Sequence, residues 1–119
     1  MKSGIKSISL FFFLLLSSFA FSQKVETVTL QVAGVCEMCK ARIETASYDV
    51  AGVKKATWDI ESGVLTAVIS PKKTSRQKIA DALAAVGYRS ELAQADEKAY
   101  QNLPACCQYD SGIEKHGKD

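Results

Sequence analysis

Residues 25–53 read VETVTLQVAGVCEMCKARIETASYDVAGV, and they place a predicted strand directly before a predicted helix. Every second residue from Val28 to Val32 is apolar, while the residues between them are polar. This alternation is the period of a half-buried strand. Apolar side chains then recur at i, i+4, i+7 and i+11, which predicts one face of a helix: Cys39, Ile43, Ala46 and Val50. Gly52 is predicted to end this helix as a C-terminal cap.

The next part of the chain shows the same two periods. Strands are predicted at 53–60 and 64–69, joined by a short turn in which Gly63 supplies a positive φ. A second helix follows, because residues 74–77 resemble a capping box and Gly87 stands where the helix would end. Its predicted apolar face consists of Ile79, Ala82, Leu83 and Val86.

A fourth strand, predicted at 88–92, completes the order strand, helix, strand, strand, helix, strand. This βαββαβ order is that of the split-βαβ or ferredoxin-like motif. We therefore predict an α+β domain in which a four-stranded antiparallel sheet carries both helices on one face. Residues 96–119 fall outside this unit, with a short helix expected from Asp96 to Leu103.

The first 22 residues have the three parts of a secretory signal peptide. Two lysines precede an apolar run from Ile8 to Leu16, and Ala20 and Ser22 then stand at −3 and −1 of a cleavage site. The run is shorter than the roughly 20 residues that a spanning helix needs. Export to the periplasm is the prediction, and an uncleaved N-terminal anchor is the alternative.

The charge of the exported chain excludes one class of partner. Without residues 1–22 it carries 13 basic and 13 acidic residues, so it has no net charge by this count. No basic stripe for nucleic acid is present. Two basic clusters, with Lys54 and Lys55 in one and Lys72, Lys73, Arg76 and Lys78 in the other, are either a solvated surface or a docking patch for an acidic partner.

Two cysteines, Cys36 and Cys39, stand at the predicted junction of strand and helix. The start of a helix offers backbone N–H groups and a positive dipole to sulfur, which favours the thiolate, the form that binds metal. Thiolates prefer soft ions such as Cu(I), Hg(II) and Zn(II). Two ligands suit a linear site that loads and unloads, whereas a closed structural zinc site would need four.

The residues around this pair resemble the heavy-metal-associated domain, the family of copper chaperones, metal-binding domains of P-type ATPases and the periplasmic mercury-binding protein. The matching parts, within residues 28–92, are Cys36-Glu37-Met38-Cys39, Ile43-Glu44, Gly52-Val53 and Val86-Gly87-Tyr88. The resemblance implies metal binding, with Cu(I) favoured and Hg(II) or Zn(II) as alternatives. No enzymatic activity is predicted, because the sequence shows no nucleophile–base pair, nucleotide-binding loop or acid pair. The resemblance also implies that Tyr88 lies near the metal loop, and that a metal-transporting membrane protein or another carrier is the partner.

The sequence departs from the family at one position before the cysteines. Members usually read Gly-Met-x-Cys-x-x-Cys, and here Gly34 occupies the place of the methionine. In the family that methionine is a buried prop for the loop and not a ligand. The departure therefore leaves Cys36 and Cys39 as the predicted ligands and leaves the metal preference open.

Redox chemistry is the main alternative for the same pair, because a helix N-terminus also activates a thiol for disulfide exchange. Against it, the order of elements is not that of a thioredoxin, since a hairpin follows the first helix directly. A purely structural Cys36–Cys39 disulfide would close too short a loop to stabilise much. It is a plausible resting state in an oxidising compartment.

The C-terminal region holds the other two cysteines, Cys106 and Cys107, and the single histidine, His116. The two thiols are interpreted as a candidate second metal site, as extra ligands that fold back on Cys36 and Cys39, or as incidental groups on a flexible tail. Neighbouring side chains diverge on a helix or strand, so joint chelation requires an irregular backbone. His116, and Met38 between the first two cysteines, are expected to be exposed and not to bind metal.

These observations combine into one prediction of organisation and role. Residues 1–22 are a signal peptide, residues 25–94 a heavy-metal-associated domain, and residues 95–119 a cysteine-containing extension. We expect an exported monomer that carries or buffers a soft metal ion.

Overall fold

The computed structural model describes residues 24–111. The predicted signal peptide, residues 1–22, and His116 lie outside this part of the chain. In chain order the elements are strand β1 Glu26–Gln31, helix α1 Glu37–Tyr48, strand β2 Val53–Trp58, strand β3 Val64–Ile69, helix α2 Arg76–Ala85, helix α3 Glu97–Gln101 and a 3₁₀ turn Ala105–Cys107.

The three strands form an antiparallel sheet in the order β1-β3-β2. Leu65 lies opposite Leu30 on one side and Trp58 on the other, and all three side chains are buried. The next row on the opposite face consists of threonines from the three strands, and these are exposed. The predicted alternation of buried and exposed side chains is therefore confirmed, and so is the positive φ of Gly63, at +72°, in the turn between β2 and β3.

Both helices contribute to the same buried cluster as the inner face of the sheet. Helix α1 contacts β2, helix α2 contacts β1, and the two helices contact each other. Helix α1 buries Cys39 and Ile43 as predicted, but its third buried residue is Ser47, whose hydroxyl donates to the Ile43 carbonyl oxygen over 2.7 Å. Because that hydrogen bond satisfies the hydroxyl, a serine is tolerated in the core, and pattern analysis of apolar residues alone passes over it.

Helix α2 follows its predicted pattern less closely. Ile79, Ala80 and Leu83 are buried, whereas Val86, placed on the buried face by the periodicity, is 43% exposed. Val86 is the C-cap residue, with φ −103° and ψ 10°, so the helical period no longer sets the direction of its side chain. Ser75 caps the other end, where its side chain accepts from the Lys78 N–H.

The predicted fourth strand at 88–92 is not formed as a strand in the described structure. The segment runs beside β1, with a single bridge between Val32 and Ser90 and backbone hydrogen bonds from Ala33 to Arg89 and from Glu91 to Gln31. The pairing stops there because the Gln31 N–H donates to the carboxylate of Glu91, and the Ser90 N–H turns back to the Ala93 carbonyl. The sheet within residues 24–111 therefore has three strands and not four.

The C-terminal extension continues from this turn and joins the domain. Helix α3 is shorter than the helix predicted from Asp96 to Leu103, and Asp96 caps it by accepting from the Ala99 N–H. Leu103 and Cys107 are buried in the same apolar cluster as the helices and the sheet. Residues 95–111 therefore pack on the domain, and this packing brings the second pair of cysteines to the first.

Candidate metal centre

The Cys-x-x-Cys pair stands at the start of helix α1. Cys36 is the N-cap residue, with the extended φ of −149° that a cap adopts, and Cys39 lies in the first turn. Residues three apart in this part of a helix face the same way, so the two sulfur atoms lie only 3.4 Å apart. Both side chains are nearly inaccessible, with 7% of Cys36 and 0% of Cys39 exposed.

The surroundings of Cys36 act on its pKa in opposite directions. Burial acts to raise the pKa, but hydrogen bonds from the Cys39 backbone and side chain, from the Cys107 thiol and from the Met38 backbone outweigh it. The pKa of Cys36 is therefore lowered. The backbone donors, Met38 and Cys39, belong to the N-terminus of helix α1, where the first N–H groups have no partner within the helix. Cys36 therefore loses its proton more readily than an ordinary cysteine.

The 3₁₀ turn of the extension brings Cys106 and Cys107 to this pair. The Cys107 sulfur lies 3.9 Å from the Cys36 sulfur and 4.0 Å from the Cys106 sulfur. The Cys106 carbonyl oxygen accepts from the Cys36 thiol over 3.2 Å. The sulfur atoms of Cys36, Cys106 and Cys107 all lie within 4.8 Å of one another. Residues 95–111 therefore fold back on the Cys-x-x-Cys pair and do not form a flexible tail.

Burial separates the two cysteines of the extension. Cys107 is fully buried, whereas Cys106 is exposed. Burial also raises the pKa of Cys107, and its hydrogen bond with the Cys39 side chain adds to the effect. Cys36 and Cys107 are therefore shifted in opposite directions although their sulfur atoms are neighbours. Four free thiols of different character, Cys36, Cys39, Cys106 and Cys107, meet at one end of helix α1.

Tyr88 lies beside the thiols, as the resemblance implied. Its side chain is fully buried, and its hydroxyl makes no hydrogen bond of ordinary geometry within the described residues. Burial raises its pKa, and the neighbouring Cys39 and Cys107 raise it further. A buried hydroxyl needs a hydrogen-bond partner, and the thiols of Cys39 and Cys107 are the polar groups beside it. It is a candidate donor to thiolate and not a candidate ligand.

Gly34 owes its place to the side chain that packs behind it. A Cβ atom at this position would lie 2.8 Å from Trp58 Cη2 and 3.2 Å from Ile43 Cδ1. The Trp58 indole, which is fully buried and donates to the carbonyl oxygens of Val32 and Gly63, therefore fills the space under the loop. A methionine at position 34 would clash with the Trp58 ring. This ring, on strand β2, packs against the loop in place of the methionine.

Glu44 connects the helix that carries the cysteines to the sheet. Its carboxylate accepts from the Trp58 backbone N–H over 2.8 Å and pairs with Lys40 over 2.7 Å. The Lys40 ammonium also donates to the Trp58 carbonyl oxygen. The Ile43-Glu44 pair thus has a definite role, because one residue packs in the core and the other fixes helix α1 to the end of β2.

Met38 and the basic clusters lie outside the group of thiols. Met38 is 47% exposed as expected, although its sulfur lies 3.8 Å from the Cys106 sulfur. In the second basic cluster, Arg76 donates to the Thr29 carbonyl oxygen and pairs with Glu91, so it joins helix α2 to β1. Arg76 therefore has a structural role that a docking patch does not require.

Sequence reasoning missed the residues that hold the extension in place. Tyr109 donates to the Gly87 carbonyl oxygen and accepts from the Arg89 N–H, and Arg89 forms a two-point ion pair with Asp110. Tyr100 packs edge-on against Tyr109 at 4.9 Å between ring centroids. The signal was the presence of two tyrosines and Leu103 in the C-terminal extension, since such side chains seldom lie free in solvent.

Comparison with known proteins gives the same family by sequence and by structure. The mercuric transport protein periplasmic component of Pseudomonas aeruginosa is 36% identical over 70 residues, which cover 58% of this chain and 77% of that protein. The zinc-transporting ATPase of Synechocystis is 35% identical over 68 residues, which cover 56% of this chain but only 9% of the ATPase. No protein-family model matches.

Two solved structures extend the comparison to the fold. Oxidised MerP from Ralstonia metallidurans CH34 is 35% identical, with a TM-score of 0.55 over 60% of this chain and 100% of that one. The CopZ metallochaperone is 27% identical, with a TM-score of 0.53 over 55% of this chain and 98% of that one. The mercuric transport component, the zinc-transporting ATPase and the CopZ metallochaperone handle metals by name, and the two solved structures share the α+β arrangement described above. The chain belongs to the heavy-metal-associated domain family.

Proposed function

We propose that this chain is an extracytoplasmic carrier or buffer of a soft heavy-metal ion, with Cys36 and Cys39 as its main ligands. The observation that supports the proposal most directly is the pair of sulfur atoms 3.4 Å apart at the N-terminus of helix α1. Thiols in such a position bind soft ions as thiolates and release their protons as they do so. Tyr88 would stabilise the thiolates from the protein side. We propose no enzymatic activity.

The ion is proposed to be Cu(I) or Hg(II), with Zn(II) as a third candidate. Soft thiolate ligands favour Cu(I) among the first-row ions. The relative at 36% identity, the mercuric transport component, is a mercury protein by name, and CopZ, at 27%, is a metallochaperone by name. Cu(I) and Hg(II) are therefore both tested in the titration described below.

The location and organisation are proposed from the sequence and from one relative. Residues 1–22 are proposed as a cleaved signal peptide, residues 25–94 as the metal-binding domain and residues 95–119 as its extension. The mercuric transport relative is a periplasmic component by name. Among the described residues, no helix has both the length and the apolar character needed to cross a membrane.

The partner is proposed to be a metal-transporting membrane protein or a second metal carrier. The sequence matches a segment of a zinc-transporting ATPase and the folds of other metal-binding modules. Next to the thiols, Met38 and Val86 are 47% and 43% exposed, and they border a shallow surface that also includes Ala41 and Ala46. A partner that exchanges ligands with Cys36 would meet this surface.

The proposal is tested by anaerobic titration of the reduced protein with Cu(I), Hg(II) and Zn(II) in the presence of a competing chelator. The parent is expected to bind one soft ion tightly, and Cys36→Ser/Cys39→Ser is expected to lose at least about a hundredfold in affinity, as removal of main ligands implies. Thr45→Ala, an exposed change in the same helix, serves as the control. Binding by the double variant that equals the parent's would refute the assignment of Cys36 and Cys39.

Thiol–disulfide exchange is the second candidate function, and one observation favours it. The lowered pKa of Cys36 and the short distance to the Cys39 sulfur are features of an attacking thiol with a resolving partner. The test is reduction of insulin disulfides by the reduced protein, followed by the turbidity of the released chains. A rate like that of a thioredoxin would favour the redox function over the carrier.

A further inference from the structure

On the basis of the proposed function, we propose that residues 95–111, the cover, add two ligands to the metal site. In this arrangement the thiols of Cys106 and Cys107 join Cys36 in one three-sulfur site while the cover is docked, and Cys39 is the second ligand beside Cys36 when the cover is lifted or its thiols are removed. The ion is then held inside the protein and leaves when the cover lifts. The extension is thus part of the site and not an appendage to it.

The distances between the sulfur atoms fit one shared ion. A metal–sulfur bond of about 2.3 Å places three sulfurs about 4.0 Å apart around a trigonal centre, and two sulfurs in line about 4.6 Å apart. The Cys107 sulfur lies 3.9 Å from that of Cys36 and 4.0 Å from that of Cys106. Two of the three separations therefore match trigonal coordination, and the third, between the sulfurs of Cys36 and Cys106, is within 4.8 Å. Cys39, 3.4 Å from Cys36, is a fourth thiol behind them.

The backbone of the cover explains how two adjacent cysteines can face one point. Pro104 lies just before the 3₁₀ turn, and the Cys107 N–H donates to the Pro104 carbonyl oxygen over 2.8 Å. Neighbouring side chains diverge on a regular helix or strand, but this tight turn brings the two sulfurs together. The irregular backbone that joint chelation requires is therefore present.

The cover is packed on the domain through apolar contacts. Leu103 and Cys107 belong to the central apolar cluster, with 6% and 0% of their surface exposed. Gly87 allows close approach, because a Cβ atom there would lie 3.0 Å from the backbone of Ala99 and Tyr100. The Asp96 N–H donates to the Ala84 carbonyl oxygen at the end of helix α2. These contacts hold the cover over the site.

A polar group of residues, the latch, fixes the end of the cover without using a sulfur atom. The Tyr109 hydroxyl donates to the Gly87 carbonyl oxygen over 2.8 Å and accepts from the Arg89 N–H over 2.9 Å. Asp110 pairs with the Arg89 guanidinium at 2.9 and 3.1 Å. Because the latch contains no ligand, it can be weakened while all four thiols stay in place.

The docked cover has a consequence for metal transfer. With Cys36 only 7% exposed and Cys39 fully buried, the ligands of a partner cannot reach the main pair while the cover is in place. A three-thiolate site also requires more bonds to break before the ion departs. The cover therefore favours holding over transfer, and lifting it converts the protein from a store into a donor.

The first experiment counts the sulfur ligands of the full chain loaded anaerobically with one equivalent of Hg(II) or Cu(I), by X-ray absorption spectroscopy. The parent is expected to give three sulfurs per ion, and Cys106→Ser/Cys107→Ser is expected to give two. Fluorescence of Trp58, which is fully buried, reports whether the variant is folded. Two sulfurs in the parent, or three in the folded variant, would overturn the proposal.

The second experiment weakens the latch and leaves every thiol in place. Tyr109→Phe removes one hydroxyl with two hydrogen bonds, and Tyr48→Phe, at a side chain that is 49% exposed, is the matched control. Transfer of bound metal to a chelator is expected to be roughly tenfold faster in Tyr109→Phe than in the parent, as the loss of two part-buried hydrogen bonds implies. Equal rates in parent, control and Tyr109→Phe would show that the cover does not govern release.

The outcomes separate this proposal from the proposed function. If Cys36→Ser/Cys39→Ser abolishes binding while Cys106→Ser/Cys107→Ser changes neither the sulfur count nor the release rate, the carrier function stands and the cover is only structural. If Cys36→Ser/Cys39→Ser binds as the parent does, the carrier site itself is misassigned.

Discussion

At the scale of single residues, Gly34 and Trp58 show how a chain can replace a missing support. The family's usual methionine is absent, and the Trp58 indole fills the space that any side chain at position 34 would enter. The two positions are therefore expected to depend on each other. A change at one is tolerated only if the other side chain becomes smaller, because a close-packed interior absorbs little added volume.

We predict that Gly34→Ala lowers the free energy of unfolding by about 1–3 kcal/mol, the usual cost of overpacking. The added Cβ would lie 2.8 Å from Trp58 Cη2, which belongs to the six-membered ring of the indole. The phenylalanine side chain is shorter and does not extend as far as this atom. Urea unfolding is measured for Gly34→Ala, Trp58→Phe and the double variant. The double variant should lose less than the sum of the single losses, and strictly additive losses would contradict the packing argument.

At the scale of elements, periodicity was sufficient for the regular parts and insufficient where side chains compete with the backbone. The sequence predicts strand β3 with its observed bounds, Val64–Ile69, because a turn with Gly63 precedes it and Pro71 follows it. The prediction of a fourth strand was wrong. Its pairing with β1 is interrupted by hydrogen bonds of the Glu91 side chain and of the Ser90 N–H, and strand propensity does not predict these bonds. Alternating residues can indicate a strand, but they do not show where its ladder ends.

The metal centre likewise has a part that the sequence predicts and a part that it does not. Cys36 and Cys39 could be selected from spacing and from the start of a helix, since those are local features of the chain. That Cys107 would lie 3.9 Å from Cys36 could not be predicted, because it depends on contacts between segments about 70 residues apart. Long-range packing of this kind is set by shape and burial, and it leaves no periodic pattern in a short extension.

One element contact can be tested directly, the connection from helix α1 to strand β2. We predict that Glu44→Ala lowers the free energy of unfolding by about 1–3 kcal/mol, since the Trp58 N–H loses its acceptor in a partly buried position. The exposed neighbour Thr45→Ala is the control and should change stability by less than about 0.5 kcal/mol. A loss no larger than that of the control would mean that water replaces the carboxylate without cost.

At the scale of the whole molecule, domain and extension meet at groups whose pKa values are raised in the folded protein. Burial raises the pKa of Cys107 in the extension and that of Tyr88 in the domain. A group with a higher pKa in the folded state binds its proton more tightly there. Its contribution to stability is complete below its unfolded pKa, about 8.5 for Cys and about 10 for Tyr, and is lost as the pH rises further.

Cys36 has the opposite sign, because its folded pKa is lowered. Its contribution is present above its unfolded pKa and disappears as the pH falls through the folded value. We predict that the free energy of unfolding of the reduced, metal-free protein decreases between about pH 8.5 and pH 10, because the raised pKa of Cys107 dominates there. Cys107→Ser should flatten this decrease, whereas Cys36→Ser should make it steeper.

The measurement is urea unfolding under argon at intervals between pH 7 and pH 10, followed by Trp58 fluorescence. The decrease reports on the docked extension only if it depends on Cys107, since titration of surface lysines would affect every variant alike. Comparison of slopes between parent and variants removes that shared background. A Cys107→Ser profile parallel to that of the parent would mean that Cys107 is not buried against the domain in solution, and the thiols of the extension would then have to be treated as free groups.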